Sequence, residues 1–183
     1  MGFEIKLIEF LQAGRTPFFD ASFQLISLIG SYAGAVALVI FFLIFKRRYA
    51  FFFLLTYGFA YLTQSIMKNA IMRERPFNVS DTIANIGDTV TSFSMPSGHV
   101  VCATLIAIFL GAYLFSLYKK KGTRVIITLS LIVYVFLVML SRMYLGKHFL
   151  TDVLAGAGVA IVFGILGLIL MYFYEKRKKL PAK

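Results

Sequence analysis

Five stretches of this chain are apolar for long enough to cross a bilayer, and nothing else in the sequence constrains the fold as strongly. A helix needs about 20 residues to span the hydrocarbon core, and the runs cover residues 22–45, 49–70, 99–118, 124–143 and 149–174. They are too long and too uniformly apolar for the alternation of a transmembrane β-barrel. The predicted class is therefore all-α, a polytopic membrane helix bundle that forms a single integral-membrane domain over residues 1–183. With 60% hydrophobic residues and a mean hydropathy of +0.83, the chain lies beyond the range of soluble domains.

Ahead of these runs, residues 3–12 put Phe3, Leu7, Ile8 and Leu11 on one helical face and Glu4 and Glu9 elsewhere. This pattern predicts an amphipathic helix lying in the interface, which makes six helices in all. No cleavable signal peptide is expected, because MGFEIKLIEFLQ mixes charge into a short apolar stretch with no small-residue cleavage site. Gly30-Ser31 and Gly34 either break the first run or let another helix pack closely, and close packing is the favoured reading. The single cysteine, Cys102, excludes an internal disulfide and a cysteine metal cluster.

Lys and Arg outnumber Asp and Glu by 19 to 8. The excess is gathered at alternate ends of the spans, as Lys46-Arg47-Arg48, Lys119-Lys120-Lys121 with Arg124, and Lys176-Arg177-Lys178-Lys179. That placement reads as anchoring against anionic headgroups, and no nucleic-acid partner is expected. The positive-inside rule puts all three clusters in the cytoplasm. Segments 71–98 and 141–149 then lie on the other side. The chain is thus expected to be a multi-pass cell-membrane protein whose unusual polar residues all meet on the extracytoplasmic face.

Those residues form a chemically coherent set, drawn from KNAIMRERP (68–76), MPSGH (95–99) and SRMYLGKHFLTD (141–152). Polar groups at membrane depth are costly and usually functional. Taken singly, Lys68, Arg75 and Arg142 are ordinary interfacial anchors; together they suit a dense oxyanion such as phosphate. Lys68 and Arg75, seven residues apart, share a face if their helix runs almost to Pro76. Ser97 and Gly98 open the third span, where free N–H groups and a positive dipole end favour an anion. His148 and Asp152, spaced i, i+4, are expected on one face at the start of the fifth span. A carboxylate there orients the imidazole and leaves its other nitrogen as a lone pair, available as nucleophile, base or metal ligand. No third ligand stands at a useful spacing for zinc. With His99 also in these segments, a catalytic pair is favoured over a merely satisfied one.

Lys68 with Arg75-Pro76, Pro96-Ser97-Gly98-His99, and Ser141-Arg142 with His148 and Asp152 together resemble the three-part signature of the type 2 phosphatidic acid phosphatase family, which also includes the vanadium haloperoxidases. The parts occur in the family's order and span residues 68–152. The resemblance implies a lipid phosphate or pyrophosphate phosphatase working without metal or cofactor at the outer membrane interface. In that mechanism His148, held by Asp152, is the nucleophile that forms a phosphohistidine. Lys68, Arg75, Arg142, Ser97 and Gly98 bind the phosphoryl oxygens. His99 protonates the leaving group and then activates water. Ser141 is expected to support the site, and Tyr144 and Lys147 to be spacers. The bacterial lipid phosphatases of the family are the closest in character, with phosphatidylglycerophosphate, undecaprenyl pyrophosphate and phosphatidate as candidate substrates. They are typically described with six membrane helices, one more than the five runs here. Transfer of the phosphoryl group to an acceptor other than water, or a non-enzymatic anion-binding or transport role, would use the same cations. Neither calls for two histidines and a carboxylate as directly. Loop 78–94 is placed to cover or admit a headgroup.

Overall fold

The structure, a computed structural model, describes residues 2–178 as eight helices. They are α1 (Gly2–Gln12), α2 (Pro17–Ile29), α3 (Tyr32–Phe45), α4 (Arg47–Ile71), α5 (Pro76–Val79), α6 (Gly98–Leu117), α7 (Lys121–Tyr144) and α8 (Leu150–Lys178). The last four spans of the sequence reading appear as α4, α6, α7 and α8, each long and apolar enough to cross a membrane. Lys179 of the third basic cluster lies outside the described residues.

The first run is not one helix. It is broken at Gly30-Ser31 into α2 and α3, which meet at 45°. The expectation of close packing was therefore incomplete. Ser31 caps α3, accepting from the Ala33 N–H at 3.1 Å while donating to the Leu28 carbonyl at 2.7 Å. A side chain that bonds locally at both ends of a break gives the backbone an alternative to helix. Close packing occurs as well, because a Cβ at Gly30 would lie 2.6 Å from Val138 Cγ1.

α6 is the hub of the bundle and packs against α3, α4, α7 and α8. Its buried face runs from Val100 to Phe109, and in the half nearer the basic clusters it meets an aromatic group of Phe42, Tyr49, Phe53 and Tyr113. Edge-on contacts there include Phe42–Tyr113 at 5.6 Å and Phe53–Phe109 at 5.5 Å. α7 turns Ile126, Leu129, Ile132 and Phe136 outward, as suits a lipid-facing helix.

α1 is the predicted N-terminal helix, and at 11 residues it is too short to span. Of its predicted apolar face, Ile8 is buried and Leu7 and Leu11 pack beside it, whereas Phe3 stands 71% exposed; Glu4 and Gln12, one turn to either side of Ile8, also face the protein. Gln12 bonds Tyr144 O at 2.7 Å, Ala84 O at 3.0 Å and Ala84 N at 2.9 Å, so it staples α1 to both polar loops. These polar contacts outweigh burial of Phe3 because they satisfy main-chain groups that the membrane interface would otherwise leave unpaired.

α8 closes on the start of α6 at Gly156, where an added Cβ would lie 2.6 Å from the Ser97 carbonyl oxygen. Backbone cannot yield as a side-chain tip can, so Gly156→Ala is expected to lower stability by about 1–3 kcal/mol. Gly158→Ala, where nothing lies within 4 Å, should be neutral or gain about 0.5–1 kcal/mol from helix propensity. Thermal melts of both variants in detergent test this, and equal melting temperatures would contradict the packing argument.

Candidate active site

The polar end of the bundle is assembled from the end of α4, residues 72–97, the start of α6, the end of α7 and the start of α8. α4 stops at Met72, a left-handed residue (φ 50°, ψ 35°) whose N–H bonds Lys68 O at 2.9 Å. The helix therefore does not reach Pro76 as the shared-face reading required. A residue before proline is pushed out of the α region, and Arg75 is indeed extended (φ −83°, ψ 153°). Lys68 and Arg75 still converge, because both donate to the carbonyl of Phe93, Arg75 at 3.3 Å.

Lys68, Arg75, Gly98, His99, Arg142 and His148 line one cavity of about 530 Å³. The cavity wall continues along α4 to Gln64 and Tyr61. Tyr61 lies 57% exposed on the outside of this span, so the cavity opens sideways, roughly 10 Å along the helix from Lys68. Ser97 is fully buried beside it. Its hydroxyl caps nothing and has no partner among the described residues, and its N–H bonds Asp152 O at 3.0 Å.

His148 precedes α8 rather than lying within it, and its N–H is fixed on Arg142 O at 3.2 Å. Nδ1 stands 3.7 Å from Asp152 Oδ2 and 3.4 Å from Ser94 Oγ. Ser94 itself donates to Asp152 Oδ2 and so bridges the pair. Arg75 Nη1 lies 3.4 Å from Nε2. A guanidinium only donates, so Nε2 carries the lone pair and Nδ1 the proton. Burial, reinforced by Arg142 and Arg75 and only partly opposed by Asp152, pushes His148 well below its ordinary pKa. The imidazole is therefore neutral at physiological pH.

Several residues that organise the site were missed in the sequence. Arg73 donates to Asp152 Oδ1 at 2.6 Å and to Glu4 Oε2 at 2.7 Å, with its guanidinium 4.2 Å from the Phe149 ring centroid. Glu4 also accepts from Thr151 N at 2.8 Å. Burial pushes the Glu4 pKa up, but the bonds from Thr151 and Arg73 outweigh it and hold the carboxyl below its usual value. Arg73 and Glu4 were visible only as charges at the ends of apolar stretches; Ser94 carried no signal at all. Two expected spacers are structural. Tyr144 is buried and donates to Asp20 Oδ1 at 2.6 Å, and Lys147 is buried on Asn85 Oδ1 and Asp88 O. Ser141, expected to support the site, is buried but spends its hydroxyl on Val138 O of its own helix.

Arg75 is a strut as much as a ligand. Its Nε bonds Ser92 O at 2.7 Å and its Nη1 bonds Lys147 O at 2.9 Å, and burial brings its pKa down to about 10 despite Asp152. Arg142 spends one nitrogen on Ser27 Oγ and leaves Nε without a partner among the described residues. Among the described residues, no three His, Cys, Asp or Glu side chains cluster closely enough to hold a metal.

A sequence profile described as the PAP2 superfamily matches residues 49–178. Phosphatidylglycerophosphatase B of Bacillus subtilis is 38% identical over 136 residues, covering 71% of this chain and 60% of that protein's length. Two crystal structures superpose on the whole bundle. The first transmembrane PAP2 type phosphatidylglycerolphosphate phosphatase from Bacillus subtilis does so with a TM-score of 0.82 at 25% identity, over 98% of this chain and 88% of that one. Aquifex aeolicus LpxE does so with a TM-score of 0.75 at 26% identity, over 91% and 94%.

The neutral His148 has a consequence for pH. An unfolded histidine takes up a proton near pH 6.5, and the buried one does so only at lower pH. Its contribution to stability is present above that value and is lost as pH falls below it. Detergent-solubilised protein is expected to lose more melting temperature between pH of about 7.5 and about 5 than a His148→Gln variant does. An equal loss in the two would mean that His148 titrates normally.

Proposed function

The chain belongs to the PAP2 superfamily, and on that footing we propose that it hydrolyses lipid phosphate or pyrophosphate monoesters through a phosphohistidine on His148. The observation that carries the proposal is the cavity itself: two histidines face one space ringed by Lys68, Arg75 and Arg142. The carboxylate behind His148 is Asp152, fully buried and held by Ser94, Arg73 and the Phe149 N–H.

His148 Nε2 attacks phosphorus in line, forming the P–N bond as the P–O bond to the lipid breaks. Lys68, Arg142, the Ser97 hydroxyl and the Gly98 N–H hold the non-bridging oxygens as charge shifts among them. Arg75 adds its charge and fixes the loop that carries Ser92 and Phe93. His99, in the first turn of α6, gives its proton to the departing oxygen. It then takes one from the water that cleaves the P–N bond, which releases phosphate and restores both histidines. The sideways opening at Tyr61 supports a substrate whose phosphate lies at headgroup level and whose tail stays in the bilayer. The names of the relatives favour phosphatidylglycerophosphate among such lipids. The three basic clusters lie at one end of the spans and the site at the other, which supports an extracytoplasmic site in the cell membrane.

Alkali-quenched trapping with phosphorus-labelled p-nitrophenyl phosphate tests the mechanism. Wild type should form acid-labile phosphohistidine, and His148→Ala should fall to background. His99→Ala should still form it from this activated substrate while losing about 10²–10⁴-fold in turnover of a lipid phosphate. Phosphoenzyme in His148→Ala but not in His99→Ala would reverse the two roles. Turnover should persist in EDTA and be inhibited by vanadate; loss on chelation with recovery on adding magnesium would replace the cation cradle by a metal.

Sidedness is tested separately. With Cys102 replaced, a cysteine at exposed Thr89 should react with a membrane-impermeant maleimide in intact cells, and one at exposed Lys120 should not. The opposite labelling pattern would put the site in the cytoplasm.

A further inference from the structure

A second cavity of about 350 Å³ adjoins the first, and the two share Val90, His99 and Arg142. It lies at the break between α2 and α3, with Gln24, Ser27 and Ser31 in its wall, and Lys147 lines it without lining the first. Arg142, 6% exposed, reaches Ser27 Oγ on this side, and its Nε has no partner among the described residues. Lys147, 3% exposed, bonds only neutral oxygens, those of the Asn85 side chain and the Asp88 main chain. Asp88 itself lines this cavity, yet neither Arg142 nor Lys147 forms an ion pair among the described residues. The N-terminus of α3 opens on the same space at Ser31 and Tyr32 and adds a positive dipole end.

Buried cations without counter-charge are costly. A single phosphoryl group in the first cavity already has Lys68, Arg75 and Arg142. Lys147 is surplus to it, and His99, which the mechanism above sets against the leaving oxygen, lines both cavities. We propose that this cavity receives a second phosphate group, carried on the leaving portion of the substrate, and that Lys147 selects lipids with two phosphates over lipids with one; the tail of such a lipid, attached beyond its second phosphate, leaves past exposed Leu28 and Tyr32 in the wall of this cavity, whereas the opening at Tyr61 takes the tail of a one-phosphate lipid. The proposal rests on the phosphatase reading above. The second phosphate is either joined directly to the first, as in a polyprenyl diphosphate, or set across a short polyol, as in phosphatidylglycerophosphate.

The test compares kcat/KM for those two lipids and for phosphatidate in wild type, Lys147→Met and Lys147→Arg. The ratio of one two-phosphate lipid to phosphatidate should fall at least tenfold in Lys147→Met, mainly through KM, and recover in Lys147→Arg. The lipid whose ratio collapses identifies the spacing. A measurement on wild type alone guards against a misfolded variant: inorganic pyrophosphate or propane-1,3-diyl bisphosphate should inhibit p-nitrophenyl phosphate hydrolysis at least tenfold more strongly than inorganic phosphate. Unchanged ratios, or an equal fall for all three lipids, would overturn the selectivity, as would equal inhibition by the three anions. A wild-type protein that hydrolyses none of the lipids would instead overturn the phosphatase reading and this proposal with it.

Discussion

The polar end of this bundle depends on one carboxylate. Asp152 is fully buried, and its two oxygens serve the Phe149 N–H, Ser94, Arg73 and His148, while its main-chain oxygen takes the Ser97 N–H. Through these contacts the start of α8, the loop ahead of α6, the segment after α4 and the first turn of α6 are referred to a single point. Through Arg73 and Glu4 the set extends to α1. A buried carboxylate is expensive unless its lone pairs are occupied, and here each oxygen is. The cost of burying Asp152 thus becomes a geometric constraint, since displacing any of these partners leaves a charge unsatisfied in a dry place.

The cations follow a different rule. Arg73 has two carboxylates, but Lys68, Arg75, Arg142 and Lys147 bond carbonyl, amide or hydroxyl oxygens. Burial accordingly weakens the hold of two loop cations on their protons, bringing Arg75 down to about 10 and Lys147 to about 8. The protein fixes where these charges stand without a direct ion pair to any of them among the described residues, which is the preorganised state an oxyanion needs. The break at Gly30-Ser31 belongs to the same arrangement. It brings Ser27, the only polar partner of the Arg142 side chain among the described residues, to the end of α7 and opens space beside it. Non-helical backbone at membrane depth is tolerated where it lines a cavity of this kind.

These features explain what the sequence could and could not reveal. Helix bounds were legible because apolar runs ending in lysines and arginines have few other solutions: run 99–118 became Gly98–Leu117 and run 124–143 became Lys121–Tyr144. The charged residues and histidines lining the candidate cavity were legible because such groups are rare enough in a chain of this kind to stand out, whereas Gln64, Asn69 and Ser92 in the same wall were not. Long-range partners were not. Ser94 meets Asp152 across 58 residues and Glu4 meets Thr151 across 147, and no local spacing encodes either pairing. Local rules also misled where a competing one was stronger. The i, i+7 spacing of Lys68 and Arg75 suggested a shared helical face, but Pro76 excludes helix at Arg75, and the two cations meet through the Phe93 carbonyl instead.

Lys147 shows why a position between two functional residues should not be set aside as a spacer. Its backbone carbonyl anchors Arg75 at 2.9 Å, and its backbone N–H is fixed on Arg142 O at 3.1 Å. The main chain at this position therefore serves the catalytic cavity whatever the side chain is. That leaves the side chain free to serve something else, and it turns toward the second cavity. One residue thus stands between a geometry that the chemistry requires and a recognition surface that the substrate can set. On the proposed reading, separating the two along backbone and side chain would let a bundle of fixed architecture alter the lipid it accepts without moving His148 or His99.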